Sequence, residues 1–520
     1  TQSGGLAGPG GVGPRGPGSL AGGLKNGRRV NPLGDLRRQS EASFLSMSHP
    51  RSGSTGALKG PGGSQGSLAN ASVDDLLKMW EVNNGDSASH SHANHEEVML
   101  MKHLELSAWY TGEGRGDHED PVAWLRRGNV EDWIAHYWFR GATPVELVAT
   151  QPKQYEELKS LVSTVLASLE LEDMPEGRNE RIRPFLLFRD PLPSLHRPLI
   201  LYAASSLFCP LLTGQVMRSL GFRRGRVGGL LYWTRRKRSG VPREQDLTTS
   251  RQSPVVVCHG LGLGLVPYFL FIRRLSERHS GEIFVPEFPF LAMAPWESVP
   301  SAREVVAQLQ DMLAANRHTA AHFVGHSFGA VIIGWMMKMS PSSVVCTTLM
   351  EPASILMLKS DMLTKCLYQT PKSCYEMLIR YFAFRELFTV NLLCRNLFWE
   401  QSVLWPEDIN VPCVVQLAGA DHIVQSLFVK RLLEHERTDR KQKRRVALKR
   451  QRRPTFAVSG SSLDVRMDPL HPEAQGQVRE ADPPALELLV CDNYFHGQIL
   501  FDRRGTEKLF SRMRQVVQNI

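Results

Sequence analysis

The pentapeptide Gly325-His326-Ser327-Phe328-Gly329 constrains this chain more than any other feature, because it lies between a strand-like run at 321–324 and a helical pattern at 328–339. A backbone that passes from strand to helix in so few residues must turn sharply. Such a turn strains its central residue and leaves little room for side chains two positions to either side. Gly325 and Gly329 meet that demand, and Ser327 is then presented at the apex with its hydroxyl outward. The bare pattern G-x-S-x-G is common by chance. Its strand and helix flanks make Ser327 a candidate nucleophile rather than an ordinary turn residue.

The surrounding pattern repeats the same alternation. Short β-rich runs at 229–234, 255–258, 282–286, 344–350, 414–417 and 486–490 are separated by helical patterns at 268–278, 302–316 and 498–520. The run Val255-Val256-Val257-Cys258 is apolar at every position, as for a strand covered on both faces. This order predicts an α/β fold over 226–520, a doubly wound, mostly parallel sheet. The stretch 73–225 reads mainly as helix, beginning at 73–80. His90, His92 and His95 within it read as a solvated loop rather than a metal site. Residues 1–72 are rich in Gly, Ser, Pro and Arg and predict a disordered tail.

A serine hydroxyl needs a base within reach, a group that orients the base, and donors for the developing oxyanion. His259-Gly260-Leu261 follows the strand at 255–258, so the backbone N–H groups of Leu261 and Phe328 are the expected oxyanion donors. This Gly-rich bend lacks the lysine and spacing of a nucleotide loop. Asp421 follows the strand at 414–417 through a small-residue turn and is the expected orienting acid. Glu351, directly after the strand at 344–350, is the alternative. His496 follows the last strand and is the expected base. His259, His326 and His422 fall near the same mouth but not in the position of the base.

These residues carry a resemblance. Gly262 through Leu275 (GLGLVPYFLFIRRL), the Ser327 pentapeptide, Asp421-His422-Ile423-Val424 and His496-Gly497 resemble the α/β-hydrolase superfamily, in particular lipase- and esterase-like hydrolases of fungi and algae. Residues 179–197 resemble the helical extension that precedes that core. The resemblance implies an α/β-hydrolase that cleaves carboxyl esters with Ser327, Asp421 and His496, without metal or organic cofactor. A thioesterase, amidase or peptidase would use the same parts, and a non-catalytic binding protein could keep the fold.

The remaining features concern substrate and surroundings. Residues 353–410 fall where a helical cap is expected. Their aromatic density, with Phe290 and Trp296, suggests an apolar pocket for a small-molecule acyl substrate. The net charge of +10 is largely local, since 440–453 holds nine Lys or Arg and no acid. That stretch opens a basic insert at 437–482, expected to be disordered and suited to an anionic membrane surface. It lacks the interleaved aromatics of a nucleic-acid binder, so none is expected. Residues 198–217 carry no charge. Pro210 and Gly214 interrupt them, which favours a buried helical hairpin over a membrane-docked or spanning helix. Eight cysteines without a CxxC pair suit a reduced, intracellular setting, cytoplasmic or membrane-associated. Organellar targeting stays open, because residue 1 is Thr rather than Met.

Overall fold

The computed structural model describes residues 95–112, 120–236, 253–357, 359–368, 371, 373–451 and 484–518. The expected tail at 1–72, the helix at 73–80, His90, His92 and residues 452–482 of the insert lie outside the described residues.

The first part comprises α1 (His95–Ser107), β1 (Tyr110–Gly112), α2 (Arg127–Trp138), α3 (Pro144–Thr150), α4 (Pro152–Ser168) and β2 (Ile182–Pro184). Its helices begin where the sequence provides caps. At α3 the Thr143 hydroxyl accepts from Glu146 N–H at 3.2 Å, and Glu146 accepts from Thr143 N–H at 2.8 Å. This reciprocal pair satisfies donors that a helix start otherwise leaves open. Trp109, Trp133 and Tyr137 pack together on the inner side, ring centroids 4.9–6.3 Å apart. Where mainly helix was expected, β1 and β2 form an antiparallel ribbon. Three residues per strand are too few to display a period of two in sequence.

Next come α5 (Leu199–Ser219) and the hairpin β3 (Arg223–Val227) and β4 (Leu230–Arg235). The core then alternates through β5 (Val255–Cys258), α6 (Phe269–Arg278), β6 (Ile283–Glu287), α7 (Ala302–Ala315), β7 (Ala321–His326), α8 (Gly329–Met339) and β8 (Val344–Met350). The cap contains α9 (Ser360–Leu367), α10 (Cys374–Ile379), α11 (Leu387–Asn391) and α12 (Trp399–Ser402). The chain returns through β9 (Cys413–Ala418), α13 (Ser426–Gln451), β10 (Leu486–Cys491) and α14 (Arg503–Gln518).

The eight-stranded sheet has the order β3-β4-β6-β5-β7-β8-β9-β10. β4 runs antiparallel to both neighbours, and the pairs from β6 to β10 are parallel. This is the α/β-hydrolase arrangement. Val305, Leu309 and Ile332 of α7 and α8 cover one face, and Phe271 and Phe510 of α6 and α14 cover the other. Coverage on both faces explains why the central strands are apolar at every position. The first core also takes in Trp109, Trp133 and Trp399, so the N-terminal helices and the cap share it.

Two expectations need correction. Residues 198–217 form no buried hairpin: α5 is a single helix through Pro210, largely exposed. Proline removes one intrahelical bond but need not end a helix whose flanking turns are anchored elsewhere. The insert is not loop throughout either, since α13 runs to Gln451. Its lysines, arginines and glutamines are good helix formers, and Pro454 is the first breaker they meet. Arg440 ties the helix down, donating to Glu436 at 2.6 Å and to the Pro406 carbonyl at 2.7 Å.

Candidate active site

Four adjacent parallel strands deliver the polar residues. β7, β8, β9 and β10 end immediately before Ser327, Glu351 and the loops bearing Asp421 and His496. Parallel strands point their carboxyl ends the same way, so residues distant in sequence converge there. The loops after β9 and β10 are joined by Gly419 N–H to the Cys491 carbonyl at 2.8 Å and Ala420 N–H to the Tyr494 carbonyl at 2.9 Å. Asp421 is thereby brought beside His496.

Ser327 has φ 55°, in the left-handed region that non-glycine residues rarely adopt. Its N–H donates to the Met350 carbonyl at 2.9 Å, which holds the turn against β8. A Cβ on Gly329 would lie 2.2 Å from the Cys258 carbonyl oxygen, and one on Gly325 would lie 2.7 Å from the Gly329 backbone. Both positions therefore require glycine.

His496 Nε2 is 3.0 Å from Ser327 Oγ, and its Nδ1 is 2.8 Å from Asp421 Oδ2. The other oxygen, Asp421 Oδ1, accepts from the N–H groups of Ile423 and Val424 at 2.8 and 2.9 Å. The carboxylate is thus fixed by backbone on one side and turned to the imidazole on the other. Burial pushes the His496 pKa down, but the charge and hydrogen bond of Asp421, with the charge of Glu351, more than offset this and raise it to about 9.

The loop after β5 is held equally firmly. His259 Nδ1 lies 2.9 Å from the Gly260 carbonyl, and His259 Nε2 accepts from Phe288 N–H at 3.0 Å. Nδ1 is then the protonated nitrogen, and burial, which lowers this pKa to about 4, keeps the ring neutral. With the Gly260 carbonyl fixed, planarity of a trans peptide turns the Leu261 N–H the opposite way. Among the described residues the N–H groups of Leu261 and Phe328 donate to no backbone or side-chain acceptor. Gly260 itself lies against the serine: a Cβ there would be 2.9 Å from Ser327 Cβ.

A second chain of buried polar groups lies behind these residues. Gly260 N–H donates to Tyr268 Oη at 2.7 Å, Tyr268 Oη is 2.8 Å from His326 Nδ1, and His326 Nε2 is 3.0 Å from Glu351 Oε2. Burial lowers the His326 pKa, favouring a neutral ring that accepts from Tyr268 and donates to Glu351. Glu351 Oε2 also accepts from Gly497 N–H and lies 3.6 Å from His496 Nδ1. Two carboxylates therefore face one imidazole, with Asp421 the nearer. Glu351, too, has a left-handed backbone, φ 47°.

The structure brings together Ser327, Asp421, His496, Leu261, Phe328, Gly325, Gly329 and Glu351. It adds Tyr268, His326 and His259 as supports. The first of these carried no sequence signal, since a tyrosine at a helix start is unremarkable until the fold sets it against Gly260. His422 is at the rim, stacked on Phe495 with centroids 5.4 Å apart. Trp296 is exposed, while Phe290 is a core residue rather than a cleft residue. Ligand atoms of His326, Glu351 and His496 lie within 4.8 Å of one another. That spacing would suit a metal ion, but the hydrogen bonds above already engage those atoms with protein partners.

No family model matches the chain, and no curated protein does. The resemblance to fungal and algal hydrolases therefore has no support from either comparison. Among solved structures, a membrane phospholipase A described as a novel bacterial virulence factor is 12% identical over 61% of this chain and 94% of its own, with TM-score 0.37. Naproxen esterase from Bacillus subtilis is 11% identical over 59% and 97%, with TM-score 0.35. Carboxylesterase CesB from the same organism is 10% identical over 60% and 98%, with TM-score 0.35. The strand order and its single antiparallel member, read from this chain alone, give it the α/β-hydrolase fold.

Proposed function

We propose that this chain is a serine hydrolase that cleaves carboxyl esters of apolar, lipid-like acyl groups. The observation that carries the reading is the continuous link from Ser327 Oγ through the His496 ring to Asp421, at 3.0 and 2.8 Å. In the proposed reaction His496 Nε2 takes the Ser327 proton as Oγ bonds to the ester carbonyl carbon. The N–H groups of Leu261 and Phe328 receive the oxyanion, each such donor being worth about 10²–10³ in rate. The intermediate collapses, the alcohol leaves with the proton held by His496, and an acyl-serine remains. Water, deprotonated by the same nitrogen, attacks the acyl carbon and releases the carboxylic acid. The apolar preference is supported by the exposed Tyr375, Met377 and Leu378 of α10 and by Phe495 beside His496. Tyr375 Oη donates to the His496 carbonyl, which sets α10 against the site.

Labelling by a fluorophosphonate probe tests the assignment. Wild-type protein is expected to label, and Ser327→Ala and His496→Ala are not. Equal labelling of Ser327→Ala would reject the nucleophile. A panel of p-nitrophenyl esters of rising chain length, with matched thioesters and anilides, then tests the acyl preference and the bond cleaved.

A further inference from the structure

Helix α5 presents an outward face that no other part of the described structure covers. Leu199, Ile200, Leu207, Phe208 and Leu211 are each at least 61% exposed. Their spacing puts Ile200, Leu207, Phe208 and Leu211 on one stripe, with the small Ala203 and Ala204 between them. A soluble helix ordinarily turns such a stripe inward. Here the inward face is instead the less apolar one, carrying Ser205, Thr213, Gly214 and Met217.

Length and composition alone would let α5 cross a membrane. Its anchoring forbids this. At the amino end Arg197 donates to the Arg385 carbonyl at 2.9 Å and Tyr202 Oη to Glu386 at 2.7 Å, both in the cap. At the carboxyl end Met217 is buried with Phe222, Trp233 and Phe271 in the sheet core. A helix of about 30 Å with both ends fixed to one body cannot place them on opposite sides of a bilayer. It can only lie along the surface.

The charge around it selects the surface. Beyond the buried anchor Arg197, residues 198–236 contain six arginines and no Asp or Glu. Arg218 closes the helix, and Arg223 and Arg226 follow it, exposed on the edge strand β3. An apolar stripe with arginines at its carboxyl end matches the interface of a bilayer containing anionic lipid. A second copy of this chain would set the same arginines near one another. The helix also touches the cap: Tyr202 packs against Phe388, centroids 6.0 Å apart.

We propose that α5 is a monotopic docking helix that lays its apolar face in the interface of an anionic phospholipid bilayer. Docking itself does not rest on the hydrolase reading, because no residue of the site takes part in it. Full-length protein is mixed with phosphatidylcholine vesicles, with and without phosphatidylserine, and bound protein is measured by flotation. Wild type and Ser327→Ala are expected to float alike, and more strongly with phosphatidylserine. Leu207→Asp/Phe208→Asp, both at exposed positions, is expected to bind about tenfold or more weakly, with an unchanged thermal melt. Arg218→Gln/Arg223→Gln/Arg226→Gln is expected to lose only the phosphatidylserine-dependent part. The proposal is overturned if wild type does not float, or if the Asp variant floats as wild type does, binding then residing in the basic end of α13. It is overturned equally if the stripe proves to be a dimer contact, with a dimer in solution that the Asp variant dissociates.

Discussion

The two carboxylates at His496 make a prediction that runs against intuition: removing one of them should help at neutral pH. A raised pKa means that the imidazole is largely protonated at pH 7 and cannot take the Ser327 proton. Turnover should therefore rise with pH through the folded-state value near 9. Glu351→Gln tests this cleanly. Both hydrogen bonds to Glu351 fall on Oε2, so an amide oxygen there can still accept from His326 and Gly497. What is lost is a charge 3.6 Å from Nδ1. At an effective dielectric of 20 that charge is worth at most about 5 kcal/mol, or roughly three pH units. The two donors on Oε2 already neutralise part of it, so a downward shift of about one to two units is expected. Oε1 has no partner among the described residues, so an amide NH₂ there would be buried unpaired and cost about 1–3 kcal/mol of stability. The assay is kcat/KM against pH with a soluble ester. The midpoint should fall while the alkaline plateau stays within about tenfold of wild type. Asp421→Asn should instead lower the plateau by about 10³–10⁴, because the imidazole loses the partner that fixes its tautomer. An unmoved midpoint in Glu351→Gln refutes the electrostatic argument. A collapsed plateau there, with Asp421→Asn active, would make Glu351 the orienting acid.

Further predictions follow from the same geometry. Tyr268→Phe leaves the Gly260 N–H and His326 Nδ1 without their shared partner; kcat should drop with KM little changed, and stability should fall by about 1–3 kcal/mol in urea titration. Gly260→Ala puts a methyl 2.9 Å from Ser327 Cβ, so fluorophosphonate labelling should slow severely even if far-UV circular dichroism is unchanged. Burial lowers the pKa of His259 to about 4 and those of His136 and His322 to about 3. Unfolded histidine titrates near 6.5, so the stability they provide is present above that value and is lost as pH falls towards 4 and then 3. The raised His496 has the opposite sign, its contribution being lost as pH rises from 6.5 through 9. Urea midpoints should thus peak near pH 6.5, and a monotonic rise to pH 9 would contradict the His496 assignment. Cys374 is exposed while Cys258 and Cys413 are buried with thiols pushed up by burial; a thiol reagent should modify the first in native protein and the others only on unfolding.

Much of the core was written in local pattern. A turn that admits only glycine at 325 and 329 and a four-residue apolar strand at 255–258 are constraints of a few residues each, and such constraints survive in sequence. The placement of Ser327, Asp421 and His496 after β7, β9 and β10 is equally legible, because parallel strands put their carboxyl ends on one side. Sequence ranked Asp421 above Glu351 on the turn pattern alone, since both follow strands that end at the same edge. The structure separates the two by distance, 2.8 against 3.6 Å from His496 Nδ1, and by partners, Asp421 Oδ1 being held by two amides and Glu351 by His326. Nor could sequence say that Trp399 of the cap would donate to the Tyr137 carbonyl at 2.7 Å and join the N-terminal helices to the cap in one core. The fate of α5 was decided in the same way. Its apolar run pointed to helical structure, but whether the chain would fold back at Pro210 and be buried depended on what packed against it. Burial is a property of the partner surface, and nothing within residues 199–219 encodes one.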